Sequence, residues 1–127
     1  MPVPQDRKYT REHEWAKRED GRVRVGITDY AQRQLGDIVY VELPKPGAAV
    51  QAMKAFGVVE SVKAASDLFA PVDGRIVEAN AELESQPELV NSDPYDQGWM
   101  VVVEPTDASA LDALLAPSEY VALIART

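Results

Sequence analysis

Apolar and polar residues alternate from Arg22 to Ile27, which puts Val23, Val25 and Ile27 on one face and predicts a half-buried strand. The segment from Lys8 to Arg18 precedes it across Glu19-Asp20-Gly21, and Asp-Gly between two such stretches predicts a hairpin. Thr28-Asp29 suits the cap of a short helix through Leu35, with Gly36 as its stop. A further strand is predicted from Asp37 to Leu43, broken by Pro44-Lys45-Pro46-Gly47, where proline offers no ladder donor. From Val50 to Ala79 the pattern is short strands with turns between them. Ala81 to Asp96 is polar and proline-punctuated, with Asn91-Ser92-Asp93-Pro94 reading as a turn. Trp99 to Pro105 reads as the last strand. Thr106-Asp107 is expected to cap a helix with Leu111, Leu114 and Leu115 on one side, and Pro117-Ser118-Glu119 to open a second carrying Tyr120, Val121, Leu123 and Ile124.

The sum is a mainly β body, sandwich or barrel-like, with one short helix in its N-terminal half and a helical tail. Residues 1–127 are expected to form one domain, with a core at about 20–105 and the helical segment at about 106–125. Glycine-led strands at Gly47-Ala48-Ala49-Val50 and Gly74-Arg75-Ile76-Val77 form a weak internal echo on either side of residue 63.

Composition narrows the chemistry. The chain has 127 residues and no cysteine, which removes disulfides, thiolate metal sites and cysteine nucleophiles. One histidine, His13, is too few for a polyhistidine metal site and a poor basis for a histidine triad. A formal charge of −8 argues against nucleic acid or anionic membrane as a partner. No apolar run approaches the roughly 20 residues that span a bilayer. The opening residues lack a leader's apolar stretch, so the chain reads as cytoplasmic, or as a mature organellar form.

Lys63 stands out within Val59-Glu60-Ser61-Val62-Lys63-Ala64-Ala65-Ser66-Asp67. Strand-like residues lead into it from Phe56, small residues follow it, and another strand pattern begins at Arg75. That places one lysine at a hairpin tip, exposed and clear of the body, where it does little for a core and is well placed to carry a group. The plainer reading is a solvated surface lysine. Ser61, Ala64, Ala65 and Ser66 leave room for a modifying enzyme to grip the tip. Glu60 and Asp67 put a carboxylate on either side, for recognition by such an enzyme or by a basic partner surface; solubilising charge at a turn is the alternative. Lys45, between prolines, and Lys54, without symmetric flanks, are the weaker attachment candidates.

Several blocks in order carry a family likeness: Tyr9 with His13-Glu14-Trp15, Val25-Gly26-Ile27-Thr28-Asp29-Tyr30-Ala31-Gln32, Leu35-Gly36-Asp37-Ile38-Val39, Val41-Glu42-Leu43-Pro44, Phe56 through Ala64, Ser66-Asp67-Leu68, Ala70-Pro71, Leu89-Val90-Asn91, Pro94-Tyr95 and Gly98-Trp99-Met100. Together they span nearly the whole chain, which resembles the swinging-arm carriers and, more narrowly, the H proteins of the glycine cleavage system. Biotin carriers usually flank their lysine with methionine, and the lipoyl domains of 2-oxo acid dehydrogenases usually place aspartate before it. Val62 and Ala64 stand in those places here.

The resemblance implies a barrel-sandwich hybrid fold and lipoate in amide linkage to Lys63, on a carrier that is not itself a catalyst. It implies three partner enzymes: a pyridoxal-phosphate (PLP) glycine decarboxylase that loads an aminomethyl group, a tetrahydrofolate-dependent aminomethyltransferase that removes it, and the flavoenzyme (FAD) dihydrolipoamide dehydrogenase that reoxidises the arm. A lipoate-attaching enzyme must precede all three. The sulfur chemistry then belongs to the arm, in keeping with a chain without cysteine. A lipoate donor or relay in cofactor assembly, without a glycine role, is the alternative, and an unmodified β-domain acting by protein contact is a third. A shuttle that shows its tip to several enzymes is expected to be a monomer. The resemblance also points to a cleft near His13-Glu14-Trp15 where Glu14, with Glu12 beside it, would meet the loaded arm; core packing by Trp15 with Glu14 solvated is the alternative. His13 shows no evident partner in the sequence and reads as structural. Trp99 and Tyr95 read as packing residues.

Overall fold

A computed structural model describes residues 3–126. Among the described residues nine strands form two antiparallel sheets, accompanied by four α-helices and one 3₁₀ helix. The strands are β1 (Lys8–Tyr9), β2 (Glu14–Glu19), β3 (Arg22–Ile27), β4 (Ile38–Glu42), β5 (Ala49–Val50), β6 (Ala55–Ser61), β7 (Ala65–Phe69), β8 (Gly74–Ala79) and β9 (Val101–Pro105). One sheet has the order β1-β2-β3-β9-β8-β5 and the other β4-β6-β7. The body is therefore mainly β and sandwich-like, not a closed barrel. The two glycine-led strands of the sequence echo pair with each other, Val50 opposite Gly74.

Alternation sets the faces. Val23 and Val25 of β3 point inward with Val101 and Val103 of β9 and Ile76 of β8. A second cluster joins the sheets through Ile27, Ile38, Val41, Val59 and Leu68. Gly26 has no side chain because Trp15 lies across it; a Cβ there would come within 2.7 Å of the indole ring.

The early helix α1 (Asp29–Leu35) forms as the sequence predicts. Thr28 Oγ1 accepts the Ala31 N–H, and Gly36 ends the helix at φ 83°, ψ −162°, a region open to glycine alone. The polar segment after β8 differs from expectation. It contains two single helical turns, α2 (Glu82–Ser85) and α3 (Leu89–Ser92), each inserting one buried apolar side chain, Leu83 and Val90, into the second cluster. Asn91 and Ser92 thus end a helical turn. Two apolar residues spaced by polar ones are too sparse a pattern for periodicity to register.

The tail also differs. Asp107 does cap, its Oδ1 accepting the Ser109 N–H at 2.9 Å, but the element it starts is a 3₁₀ helix (Ala108–Ala113). Leu114 and Leu115 fall outside it, because Leu115 exchanges both backbone bonds with Tyr9 and is drawn out straight. The final helix α4 (Pro117–Ala125) begins at proline, with Glu119 accepting the Ala116 N–H, and buries Tyr120 against Tyr9 and Trp15.

Candidate functional site

Strands β6 and β7 form a hairpin whose two-residue tip is Val62-Lys63. A two-residue hairpin usually takes a primed turn with positive φ. Val62 is β-branched, and neither tip residue has positive φ. Ser61 makes up the difference. Its N–H donates to the Ala64 carbonyl at 2.7 Å, and its hydroxyl accepts the N–H groups of Lys63 and Ala64 at 3.3 and 3.1 Å. The serine read from sequence as a small, permissive neighbour is therefore the residue that shapes the tip.

The tip is exposed but braced, not clear of the body as the sequence suggested. The Val62 N–H donates to the Asp37 carbonyl at 3.0 Å. The Lys63 stem passes over Gly36, where a Cβ would lie 3.6 Å from Lys63 Cε. Lys63 itself is exposed and in no ion pair among the described residues. Lys45 and Lys54 are exposed as well, in the loops before β5 and β6.

Gly36 is in turn held from behind. Asn91 donates to its carbonyl at 3.0 Å and to Gln32 Oε1 at 2.8 Å, while Asn91 Oδ1 accepts the Ile38 N–H at 2.8 Å. One side chain thus ties α3, the end of α1 and the start of β4 together beneath the lysine. The sequence marked Asn91 as a turn former and as part of a family block, not as a brace.

With Val59 and Leu68 turned inward, Glu60 and Asp67 point outward. Glu60 lies opposite Ala65 and Asp67 opposite Val58, so the two carboxylates share one face, one residue pair apart. Tyr40 stands opposite Glu60 and Glu42 opposite Val58 on the neighbouring β4, and both are exposed. Neither Glu60 nor Asp67 pairs with a cation among the described residues.

Glu14 and Glu12 separate. Glu12 is exposed, whereas Glu14 is 2% exposed and fully bonded. Thr10 Oγ1 donates to Glu14 Oε1 at 2.5 Å, and the Phe69 N–H donates to Oε2 at 3.2 Å. Burial outweighs these bonds and pushes the Glu14 carboxyl up to about 8. Trp15 is core, its indole N–H on the Pro94 carbonyl at 3.0 Å and the Arg7 guanidinium 4.6 Å above its ring. Tyr95 and Trp99 do pack: Tyr95 Oη accepts the Asp29 N–H, and Arg24 stacks on Trp99.

His13 has partners that its sequence neighbours did not reveal. Its Nδ1 lies 2.9 Å from Tyr120 Oη, and its ring meets Tyr30 at 4.8 Å. The Tyr120 hydroxyl is also 2.7 Å from Thr28 Oγ1. A separation of 107 positions hides such a contact from sequence pattern.

A family model described as "Glycine cleavage H-protein" matches residues 7–127. The chain is 52% identical over 124 residues to a glycine cleavage system H protein from Anaeromyxobacter sp. (strain K), covering 98% of this chain and 97% of that one. It is 53% identical to the namesake from Oceanobacillus iheyensis, with 98% of each covered. The crystal structure of a glycine cleavage system H protein from Mycobacterium marinum superposes with a TM-score of 0.90 at 44% identity, covering 97% of this chain and 99% of the other. Fold, order of blocks and near-complete coverage agree, and the chain belongs to the glycine cleavage H-protein family.

Proposed function

We propose that this chain is the lipoylated carrier of a glycine cleavage system, with lipoate in amide linkage to Lys63 Nζ. The observation that carries the reading is an exposed lysine on a braced two-residue tip, within a family member matched over nearly its whole length. Acylation turns the ammonium into a neutral amide. Since Lys63 is in no described ion pair, loading strands no carboxylate and costs the fold little. Lipoate would supply the disulfide that accepts and gives up a one-carbon amine. The protein holds that group at high local concentration and presents it. Ser61, Val62 and Ala64 shape the tip, while Glu60 and Asp67 mark its outer face for partners.

On this reading the protein is a non-catalytic component that works as a cytoplasmic monomer of one domain. It serves glycine decarboxylase, the tetrahydrofolate-dependent aminomethyltransferase and dihydrolipoamide dehydrogenase in turn, after a lipoate-attaching enzyme has loaded it. No described helix is long and apolar enough to cross a membrane. Glu14 reaches an arm only if its bonds to Thr10 and Phe69 are exchanged, so a role in an arm cleft requires the β2–β7 junction to open.

Intact mass and peptide mapping of protein from its native host test the reading. A lipoyl increment on Lys63, abolished in Lys63→Arg with stability unchanged, is the expected result. Loading that persists in Lys63→Arg overturns the site. Glycine–bicarbonate exchange with the decarboxylase separates the glycine carrier from a lipoate relay, which would not support it.

A further inference from the structure

Tyr120 lies at the centre of a largely buried hydrogen-bond chain away from the lysine tip. In order, it runs Ala31 N–H to Thr28 Oγ1 at 3.2 Å, Thr28 Oγ1 to Tyr120 Oη at 2.7 Å, and Tyr120 Oη to His13 Nδ1 at 2.9 Å. It links α4, the turn before β2 and the cap of α1. Thr28 and Tyr120 are both fully buried.

The protonation state of His13 sets its direction. The Ala31 amide can only donate, so Thr28 Oγ1 is an acceptor there. If His13 is neutral with its proton on Nε2, Tyr120 donates to Nδ1 and Thr28 donates to Tyr120. Every hydrogen then has an acceptor. If His13 is protonated, Nδ1 must donate and the chain runs the other way. Tyr120 then donates to Thr28, and the buried Thr28 hydroxyl hydrogen loses its acceptor in the chain. The other neutral tautomer meets the same obstacle.

What the chain holds matters for the lysine. Thr28 is the N-cap of α1, and the other end of α1 is Gly36, over which the Lys63 stem passes. We propose that Tyr120 is a positioning residue: the His13–Tyr120–Thr28 relay lets the C-terminal helix hold α1, and through α1 the seat of Lys63, and protonation of His13 reverses and loosens it. The significance of the seat rests on the carrier reading; the relay does not.

The surroundings favour neutral histidine. Burial holds the His13 imidazole below its usual range, although Glu12 on the same turn acts in the opposite sense. Glu14 of β2 is engaged by Thr10 and Phe69, Asp29 of α1 pairs with Arg33 at 2.7 Å, and Glu119 of α4 accepts the Ala116 N–H. Tyr30 and Tyr120 bring only rings and hydroxyls to the histidine.

Because His13 is the only histidine, one NMR titration of the full, unloaded chain reports on it alone. The expected result is an Nε2–H tautomer at neutral pH, with protection from amide exchange at Ala31 and in α4, taken relative to the intrinsic rate at each pH, falling about tenfold or more as His13 gains its proton, and Lys63 Cε signals moving in step. Tyr120→Phe keeps the stack on Tyr9 and removes the hydroxyl. It should raise the His13 midpoint and leave Ala31 with reduced protection that no longer changes as His13 titrates. An Nδ1–H tautomer, or Ala31 and Lys63 signals indifferent to the titration, would overturn the proposal. If Tyr120→Phe does not fold, the wild-type titration decides alone. Mass mapping of Lys63 tests the carrier reading separately, because this experiment uses protein without an arm.

Discussion

Glu14 receives the Phe69 N–H at 3.2 Å across 55 positions of sequence, tying β2 to the strand that descends from the lysine tip. The bond places a buried carboxyl where two sheets meet.

That carboxyl predicts an unusual pH dependence. Its proton affinity rises on folding, from 4.5 to about 8, chiefly through burial. Between those values the folded state holds a proton that the unfolded chain has released. Stability from this group is therefore fully present below about pH 4.5 and is lost as pH rises towards 8. At about 1.4 kcal/mol per tenfold change in affinity, the loss has an upper bound of about 5 kcal/mol. Denaturant unfolding at pH 5, 7 and 9 should show wild type losing stability relative to Glu14→Gln as pH rises. A constant difference between the two proteins would refute it.

Asn91 makes a second prediction. It bonds the Ile38 N–H, Gln32 Oε1 and the Gly36 carbonyl, and alanine would leave all three without that partner. A loss of about 2–4 kcal/mol follows, since each unmet buried polar group costs about 1–3 kcal/mol and water reaches some of them. The loosened Gly36 should also widen the range of positions open to the Lys63 stem, measurable as greater mobility of its side-chain NMR signals. A fall in stability without that change would mean that Asn91 supports the core alone.

The strands, α1 with both its caps and the exposed lysine were legible from the sequence because each has a local cause. Alternation placed Val23, Val25 and Ile27, and a threonine and a glycine bracketed Asp29–Leu35. What escaped was held by distant partners. Leu115 leaves its helix to pair with Tyr9, and His13 finds Tyr120 across nearly the whole chain. Ser61 looked merely small, yet its hydroxyl closes a turn that Val62 cannot make in the primed form. Glu14 was identifiable as a candidate, but its burial was not, because a glutamate beginning an alternating strand is usually solvated.

The outward pair Glu60 and Asp67 makes the last prediction. Two carboxylates on one face of the hairpin, neither paired among the described residues, would attract a basic partner through solvent on the proposed carrier reading. Interactions of that kind steer encounter more than they hold the complex, and salt screens them over about 8–10 Å. Replacing both by lysine should therefore slow loading by the lipoate-attaching enzyme through KM, with kcat little changed, and should flatten the salt dependence shown by wild type. Stability should stay within about 0.5 kcal/mol, because both positions are exposed. A drop confined to kcat would place these carboxylates in tip geometry instead, and equal salt dependence in both proteins would remove them from recognition altogether.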